Sequence, residues 1–447
     1  MEQEELRWSR VGRCPPKKRL ELLAESIASA PDMSLPKQTK TWAATKAGYR
    51  LLSNPKVCPH AIQGPHRLHT RESCGEYPLV LCVQDTSEID FTSRKDVKGL
   101  GKIGTGHGRG FEQHSTLAIL PSGNVLGILD QHWCLKPDPP EGETRTQMEN
   151  RWNMGDLWPD AVARVGPSPK NCRFIHVADR GGDNFKMMRA CVDNGVGFLL
   201  RSKSDRYVEG HSTRLWEHAR GGALAGTKVL KVSRQNAKPS GRARTAQMQI
   251  QYRPVQLDAP YRGKEPVIQA WAVLVSEVSP PQGEWPIEWL LLTSEPLNDA
   301  AAALAAVGWY EQRWVIEEWH KGLKSICGLE RSQLDDAADL QRLASILGVV
   351  AVWILQLRDA AHSTQEQADD PAALRQIAPP IWIQVVAKMS GQREEAMTPH
   401  SFLLAIAKRG GFLGRKSDGN PGWKTIYLGW VDFARMVEFA EATANSA

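Results

Sequence analysis

Short apolar runs closed by acidic turns organise the middle of the chain. Leu79-Val80-Leu81-Cys82-Val83 is β-rich, too short for a helix, and ends in Gln84-Asp85-Thr86. The pattern returns at Phe174-Ile175-His176-Val177-Ala178, which ends in Asp179-Arg180-Gly181-Gly182-Asp183. Both predict buried strands with a carboxylate at the carboxyl end, where ligands of open α/β sheets gather. As isolated features, the two aspartates read equally well as caps of strand-to-helix turns. Between them, His114 to Leu120 and Asn124 to Leu129 flank Pro121-Ser122-Gly123 and predict a hairpin. The Gly-rich run from Gly99 to Gly110 lacks the Lys-Ser/Thr of a phosphate-cradling loop and reads as a mobile connection. Residues 144–165 and about 184–194 read as helices, and Val196 to Leu200 as a further strand.

From Arg201 the pattern changes. Eleven Lys/Arg face three Asp/Glu between Arg201 and Arg244, and strand-like stretches follow or lie within this region (Lys228–Ser233, Ala246–Tyr252, Val267–Val278, Trp289–Thr293). This predicts a basic, β-rich insertion. Residues 334–362 predict a long helix with Leu343, Ile346, Leu347, Val350, Ile354 and Leu357 as a core stripe. The chain beyond Ala368 is Pro-broken and then helical. At the other end, Arg7, Arg10, Arg13, Lys17, Lys18 and Arg19 precede the amphipathic Leu20–Ile27. A second basic helix carries Lys37, Lys40, Lys46 and Arg50. Such a unit suits nucleic acid, though a solubilising arm has the same composition.

Residues 309–324 read as one helix. At about 100° per residue, Tyr310, Arg313, Glu317, Lys321 and Lys324 fall within an arc of roughly 80°. Val315, Ile316, Trp319, Leu323 and Ile326 gather on the opposite side. Alone, the polar arc would be a solvated face of i,i+4 ion pairs.

Composition narrows the class. The 447 residues are 41% hydrophobic and 24% charged, enough for two to four domains of a soluble protein. No apolar run approaches 18 residues and the start is acidic and polar, so a cytoplasmic protein with no membrane partner is expected. Eight cysteines form no CxxC and no Cys/His cluster, which argues for reduced thiols and against structural zinc. The net charge of +6 is only mildly basic. Several of the sixteen tryptophans adjoin cations, an arrangement able to stack bases and hold phosphates.

Asp85, Asp179 and Glu317 are hard oxygen donors of the kind that bind Mg²⁺ or Mn²⁺. Two such ions about 4 Å apart serve phosphoryl transfer, and a metal would offset the repulsion among converging carboxylates. Arg313, Lys321 and Lys324 would clamp phosphates, with Tyr310 as a hydrogen-bond donor. The residues alone reach metal-dependent phosphoryl transfer on nucleic acid.

The spacing Tyr310-x2-Arg313-x3-Glu317-x6-Lys324 resembles the Tyr-Arg-Glu-Lys signature of the insertion-sequence-four family of DDE transposases, most closely the transposon-five type. The likeness extends through Gly48-Tyr49-Arg50 with Asn54-Pro55, Gln84-Asp85-Thr86-Ser87, Asp179-Arg180, Arg201-Ser202-Lys203, Trp289 to Pro296, Leu355-Gln356-Leu357-Arg358 and Gly410-Gly411-Phe412. It implies an α/β fold: a ribonuclease-H-like catalytic core, a mixed sheet with flanking helices, over 71–367. That core would be interrupted by a β-rich insertion at about 201–298. A helical DNA-binding domain over 1–70 and a helical, dimerising domain over 368–447 would flank it. It further implies a metal triad of Asp85, Asp179 and Glu317 holding two Mg²⁺ (or Mn²⁺), and a homodimer on double-stranded DNA. The partners would be terminal inverted repeats and target DNA, with the protein on the nucleoid when bound. Cut-and-paste transposition would proceed through nicking, hairpin formation and opening, and strand transfer. Tyr310, Arg313 and Lys324 would hold phosphates beside a flipped base, with Lys321 and Arg201 as further contacts and Trp289 and Trp314 as stacking residues. A hydrolytic nuclease of the same fold and a non-catalytic end-binding regulator are the competing readings. Two departures stand out. Gly181 occupies a position where the family often has Glu, and the chain stops at Ala447, so the carboxyl-terminal dimer contact is expected to be shorter or differently arranged.

Overall fold

A computed structural model describes residues 17–444, except 30, 32, 105, 137–139, 141, 143, 145–151, 233–242, 260–264, 363–369, 416–417 and 419. Arg7, Arg10, Arg13 and much of the helix expected from residue 144 lie outside these.

The amino-terminal helices are α1 (Lys17–Ser29), α2 (Leu35–Thr39), α3 (Trp42–Leu52) and α4 (Pro59–Cys74). Leu20, Leu23, Ala24 and Ile27 give α1 one buried face at helical spacing. The expected second basic helix is two helices. Lys40 takes a left-handed φ of 61° that ends α2, and the Thr41 side chain accepts a hydrogen bond from Ala44 N (3.2 Å) to cap α3.

Strands β1 (Leu79–Asp90), β2 (Gly101–Ile103) and β4 (Val125–Cys134) all pair antiparallel with β3 (Gly108–Ile119). The Gly-rich run is therefore part of a β2–β3 hairpin rather than a free connection. Gly110 explains one of its glycines, because a Cβ there would lie 1.9 Å from the Ile89 carbonyl oxygen. Helix α5 (Leu157–Val165), β5 (Arg173–Ala178), α6 (Phe185–Asp193) and β6 (Gly197–Arg201) follow. Then come β7 (Tyr207–Val208), β8 (Thr213–Arg214), α7 (Leu215–Arg220), β9 (Ala223–Val232), β10 (Arg244–Leu257), β11 (Ile268–Glu277) and β12 (Glu288–Thr293).

The twelve strands of the described residues join one mixed sheet, along the order β2-β3-β1-β5-β6-β12-β11-β10-β7-β8, with β4 also on β3 and β9 on β10. Among the described strands, parallel pairing is confined to β1 with β5 and β5 with β6. Strands of the expected insertion are thus not a separate body. Through β12 they hydrogen-bond directly to β6.

Alternate residues of the central strands enter different cores. Leu81, Val83, Ile175 and Val177 pack with Ile316, Trp319 and the long helix, whereas Val80, Cys82, Phe174 and Ala178 pack with Leu157, Val162 and Met187. Burial on both faces is why these strands read as continuous apolar runs.

Past the sheet come α8 (Ala300–Glu311), α9 (Trp314–Lys321), a π turn at Gly322–Ile326 and α10 (Ala337–His362). The apolar stripe expected on α10 is wider than a stripe, since Val349, Val350, Ala351, Val352, Ile354 and Leu355 are all buried. Its segment Ala337–Gln356 is long and apolar enough to cross a membrane, yet it is 78% buried inside the protein, as a central core helix is. Helices α11 (Pro371–Ile377), α12 (Pro380–Ser390), α13 (Pro399–Arg409) and α14 (Trp423–Ala444) complete the chain. Edge-to-face contacts of Trp430 with Trp353 (4.8 Å) and Trp382 (5.1 Å) tie this helical unit to α10.

Candidate active site

Parallel pairing of β1 with β5 ends at Gln84 opposite Ala178. The next residues are Asp85 and Asp179, so two carboxylates leave neighbouring strands at the same level, on strands about 4.8 Å apart. Asp85 is not at a strand end as the apolar run implied. β1 continues beside β3, with Asp85 opposite Ser115, and only its parallel partner stops. Asp179 is also a cap, its Oδ1 accepting from Gly181 N at 2.7 Å. The cap reading of that residue holds.

Helix α9 packs across β1 and brings the third carboxylate. Residues 309–324 do not form one helix. Bonds from Gln312, Arg313, Val315 and Ile316 back to the third preceding carbonyl tighten the chain between α8 and α9, and the π turn widens it after Lys321. Because of the tight link, Arg313 is folded inward and 7% exposed, and Trp314 is left 58% exposed. The Arg313 guanidinium lies 5.0 Å from the Trp314 ring centroid, and its Nη2 is 2.6 Å from Glu317 Oε1.

The three carboxylates share one electrostatic field. Burial first, then Asp179 and Glu317, push Asp85 up to about 7, against the opposing effects of Arg313 and of the Thr86 N–H bonded to Asp85 Oδ1 at 2.9 Å. Burial works against the Arg313 charge, but Tyr310, Glu317 and Asp85 outweigh it and raise its pKa. Tyr310 is buried, which raises its hydroxyl pKa, while Arg313 and Arg201 pull the other way. Arg201 ends β6, opposite Leu291 of β12.

The remaining expected contacts are less tightly gathered. Lys321 is exposed, Lys324 is half-buried in the π turn, and Trp289 is half-buried on β12 with its Nε1 lacking a protein partner. Among the described residues, no three His, Cys, Asp or Glu side chains stand close enough to hold one ion. Glu317 is engaged by Arg313 instead. The donor set nevertheless fits a hard divalent cation: all three are carboxylates, and their mutual repulsion is what a cation would relieve.

Several neighbours escaped the sequence reading. His320 Nδ1 lies 3.8 Å from Asp85 Oδ2, yet burial and then Lys324 drive this ring down to about 3, so it stays neutral. Asp183 anchors the segment after β6, accepting from Lys203 N (2.6 Å), Ser204 N (3.2 Å) and Arg206. Behind Asp85, Gln84, His114 and His176 form a buried polar chain. His176 inside one apolar run and Gln84 at the end of the other were its visible signs.

Two family models match the chain. Residues 16–57 match a Transposase DNA-binding model, and residues 386–446 match the Transposase Tn5 dimerisation domain. Together the two matches support a Tn5-like transposase. The DNA-binding match covers α1–α3, where Lys37, Lys40, Lys46 and Arg50 are exposed. The dimerisation match covers the end of α12 and all of α13 and α14, so the Tn5-like chain carries one module for DNA and one for a second copy.

Proposed function

We propose that this chain is a cut-and-paste DNA transposase working from a ribonuclease-H-like core. The observation that carries the reading is the exit of Asp85 and Asp179 side by side from β1 and β5 beneath Glu317, between Tn5-like DNA-binding and dimerisation ends. The order β4-β3-β1-β5-β6, antiparallel for the first three strands and parallel for the last three, supports the core assignment.

In this reading the substrate is double-stranded DNA bearing terminal inverted repeats, held by a homodimer. Water attacks the phosphodiester at the transposon end and breaks its P–O3′ bond, leaving a 3′-hydroxyl. That hydroxyl attacks the opposite strand, forms a hairpin and releases the flank with its own 3′-hydroxyl. A second water opens the hairpin, and the regenerated 3′-hydroxyl joins a target phosphodiester. Asp85, Asp179 and Glu317 would hold Mg²⁺ or Mn²⁺, which when bound supplies charge neutralisation at the attacking and leaving oxygens. Arg313, Tyr310, Lys321, Lys324 and Arg201 would hold the backbone phosphates. Trp289 and the exposed Trp314 would stack on bases displaced as the hairpin forms.

The test uses the full chain with DNA carrying the repeats that flank its reading frame, in Mg²⁺. Hairpin and strand-transfer products are expected. Nicks alone would favour a hydrolytic nuclease, and binding without cleavage a regulator.

A further inference from the structure

We propose that Gln84 is a positioning residue for Asp85, tying three strands together on the face of the sheet opposite the carboxylates. This rests on the functional reading above for what Asp85 does, and on geometry alone for how it is held.

Gln84 is fully buried within β1. Alternation along a strand sends its side chain to the face opposite Asp85. A buried primary amide is costly unless its hydrogen bonds are met, so packing alone would favour an aliphatic residue here. Its bonds are met on both sides. Gln84 Oε1 lies 3.2 Å from His114 Nε2 on β3, and Gln84 Nε2 lies 2.6 Å from His176 Nδ1 on β5. His114 Nδ1 is in turn 2.8 Å from Thr86 Oγ1, back on β1.

The proton positions follow from the amide. Its NH₂ donates to His176 Nδ1, so that ring carries its proton on Nε2. Its carbonyl accepts from His114 Nε2–H, which leaves His114 Nδ1 to accept from the Thr86 hydroxyl. The chain therefore runs with one polarity, from Thr86 through His114 and Gln84 to His176, and both rings are neutral. Burial holds each ring in that state.

This places a tie on each side of Asp85, one through Gln84 and one through Thr86, at the level where β1 and β5 part. The same wall supports Asp179. Trp158 stands edge-on to His114 with centroids 4.9 Å apart, and it fills the space over Gly181 and Gly182, the turn that follows Asp179. Both carboxylate-bearing backbones are thus referenced to one buried cluster behind the sheet.

The experiment has two readouts. In the full-length wild type, nitrogen NMR of labelled histidines should show His114 and His176 neutral with the proton on Nε2. A proton on Nδ1 of either ring would overturn the proposal. The second readout is Gln84→Met, which keeps the volume and removes both Gln84 hydrogen bonds, leaving the Thr86–His114 bond. It should retain DNA binding and the KM for end DNA, lower kcat on the order of a hundredfold, as misplacement near 1 Å does, and weaken Mn²⁺ binding measured by calorimetry. A folded Gln84→Met with wild-type kcat and Mn²⁺ affinity would also overturn it. Should that variant not fold, Gln84→Glu decides. A carboxylate accepts from His114, and from His176 once its proton has moved to Nδ1, so cleavage with that switched tautomer is expected. A protonated carboxyl would instead donate to an unswitched His176 Nδ1, so the outcome that contradicts the chain is a folded Gln84→Glu that does not cleave. Absence of cleavage in the wild type would instead count against the functional reading, while the tautomers and the Mn²⁺ affinity still test Gln84.

Discussion

Arg313 holds Glu317 at 2.6 Å from the buried side of the link between α8 and α9. The guanidinium is 9% exposed and the carboxylate 38%, so the pair is only half screened from water. Replacing Arg313 with Gln leaves Glu317 and Asp85 without their nearest cation. A loss of stability of about 1–2 kcal/mol is expected, below the fully buried range because Glu317 reaches solvent. Cleavage should fall much further than DNA binding, which the amino-terminal helices retain. Thermal denaturation and a gel-shift assay of the same preparation check both halves.

Stability should fall in mild acid. His66 accepts a hydrogen bond from Ile128 N (3.1 Å) and is driven down to about 4 by burial, then by His69 and Arg67; burial takes His176 down to about 3. Each folded value lies below the unfolded value of about 6.5, so the unfolded chain binds the extra proton. The contribution is intact above pH 6.5 and is lost as pH falls towards 4 for His66 and 3 for His176. Between pH 7 and 5 each ring should cost about 2 kcal/mol. Urea unfolding at the two pH values measures this, and His66→Gln should reduce the slope by that ring's share.

Gly181 is fixed by its neighbour. A Cβ there would lie 2.6 Å from Trp158 Cζ2 and 3.0 Å from Asp179 Oδ1. Gly181→Ala should therefore destabilise by about 1–3 kcal/mol through overpacking. Gly181→Glu should do so at least as strongly, and neither should gain activity. Adding Trp158→Ala should recover part of the loss from Gly181→Glu, a coupling that a double-mutant cycle in thermal unfolding would reveal.

The Asp183 side chain is fully buried and receives two backbone N–H bonds besides Arg206. Asp183→Ala should cost about 3 kcal/mol, since it strands a largely buried guanidinium and frees the segment after β6. Limited proteolysis should then cut near residues 203–206, where the wild type resists.

The central strands were legible because burial on both faces writes an apolar run into the sequence. Asp85 and Asp179 were legible as the acidic ends of those runs. The bend at Gln312–Arg313 was not, because Trp309 to Lys324 keeps helical spacing of polar and apolar residues across a link whose tighter backbone bonds leave no mark in that spacing. The hairpin within Gly99–Gly110 was hidden for the opposite reason. Its glycines signal looseness in composition, whereas Gly110 is required by close approach to the Ile89 carbonyl. Gln84, His114 and His176 lie on three strands, and nothing in one chain of letters shows that they meet.

The most direct test of the account is Glu317→Gln in the full chain, assayed on DNA bearing the flanking repeats. The amide keeps the shape and a hydrogen-bond acceptor for Arg313 but removes the third negative charge. End-DNA binding should match wild type, the thermal midpoint should stay within a few degrees, and nicking, hairpin and strand-transfer products should all fall at least about a thousandfold (roughly 4 kcal/mol of barrier). Cleavage by Glu317→Gln at the wild-type rate would contradict the assignment of Asp85, Asp179 and Glu317 as the catalytic centre.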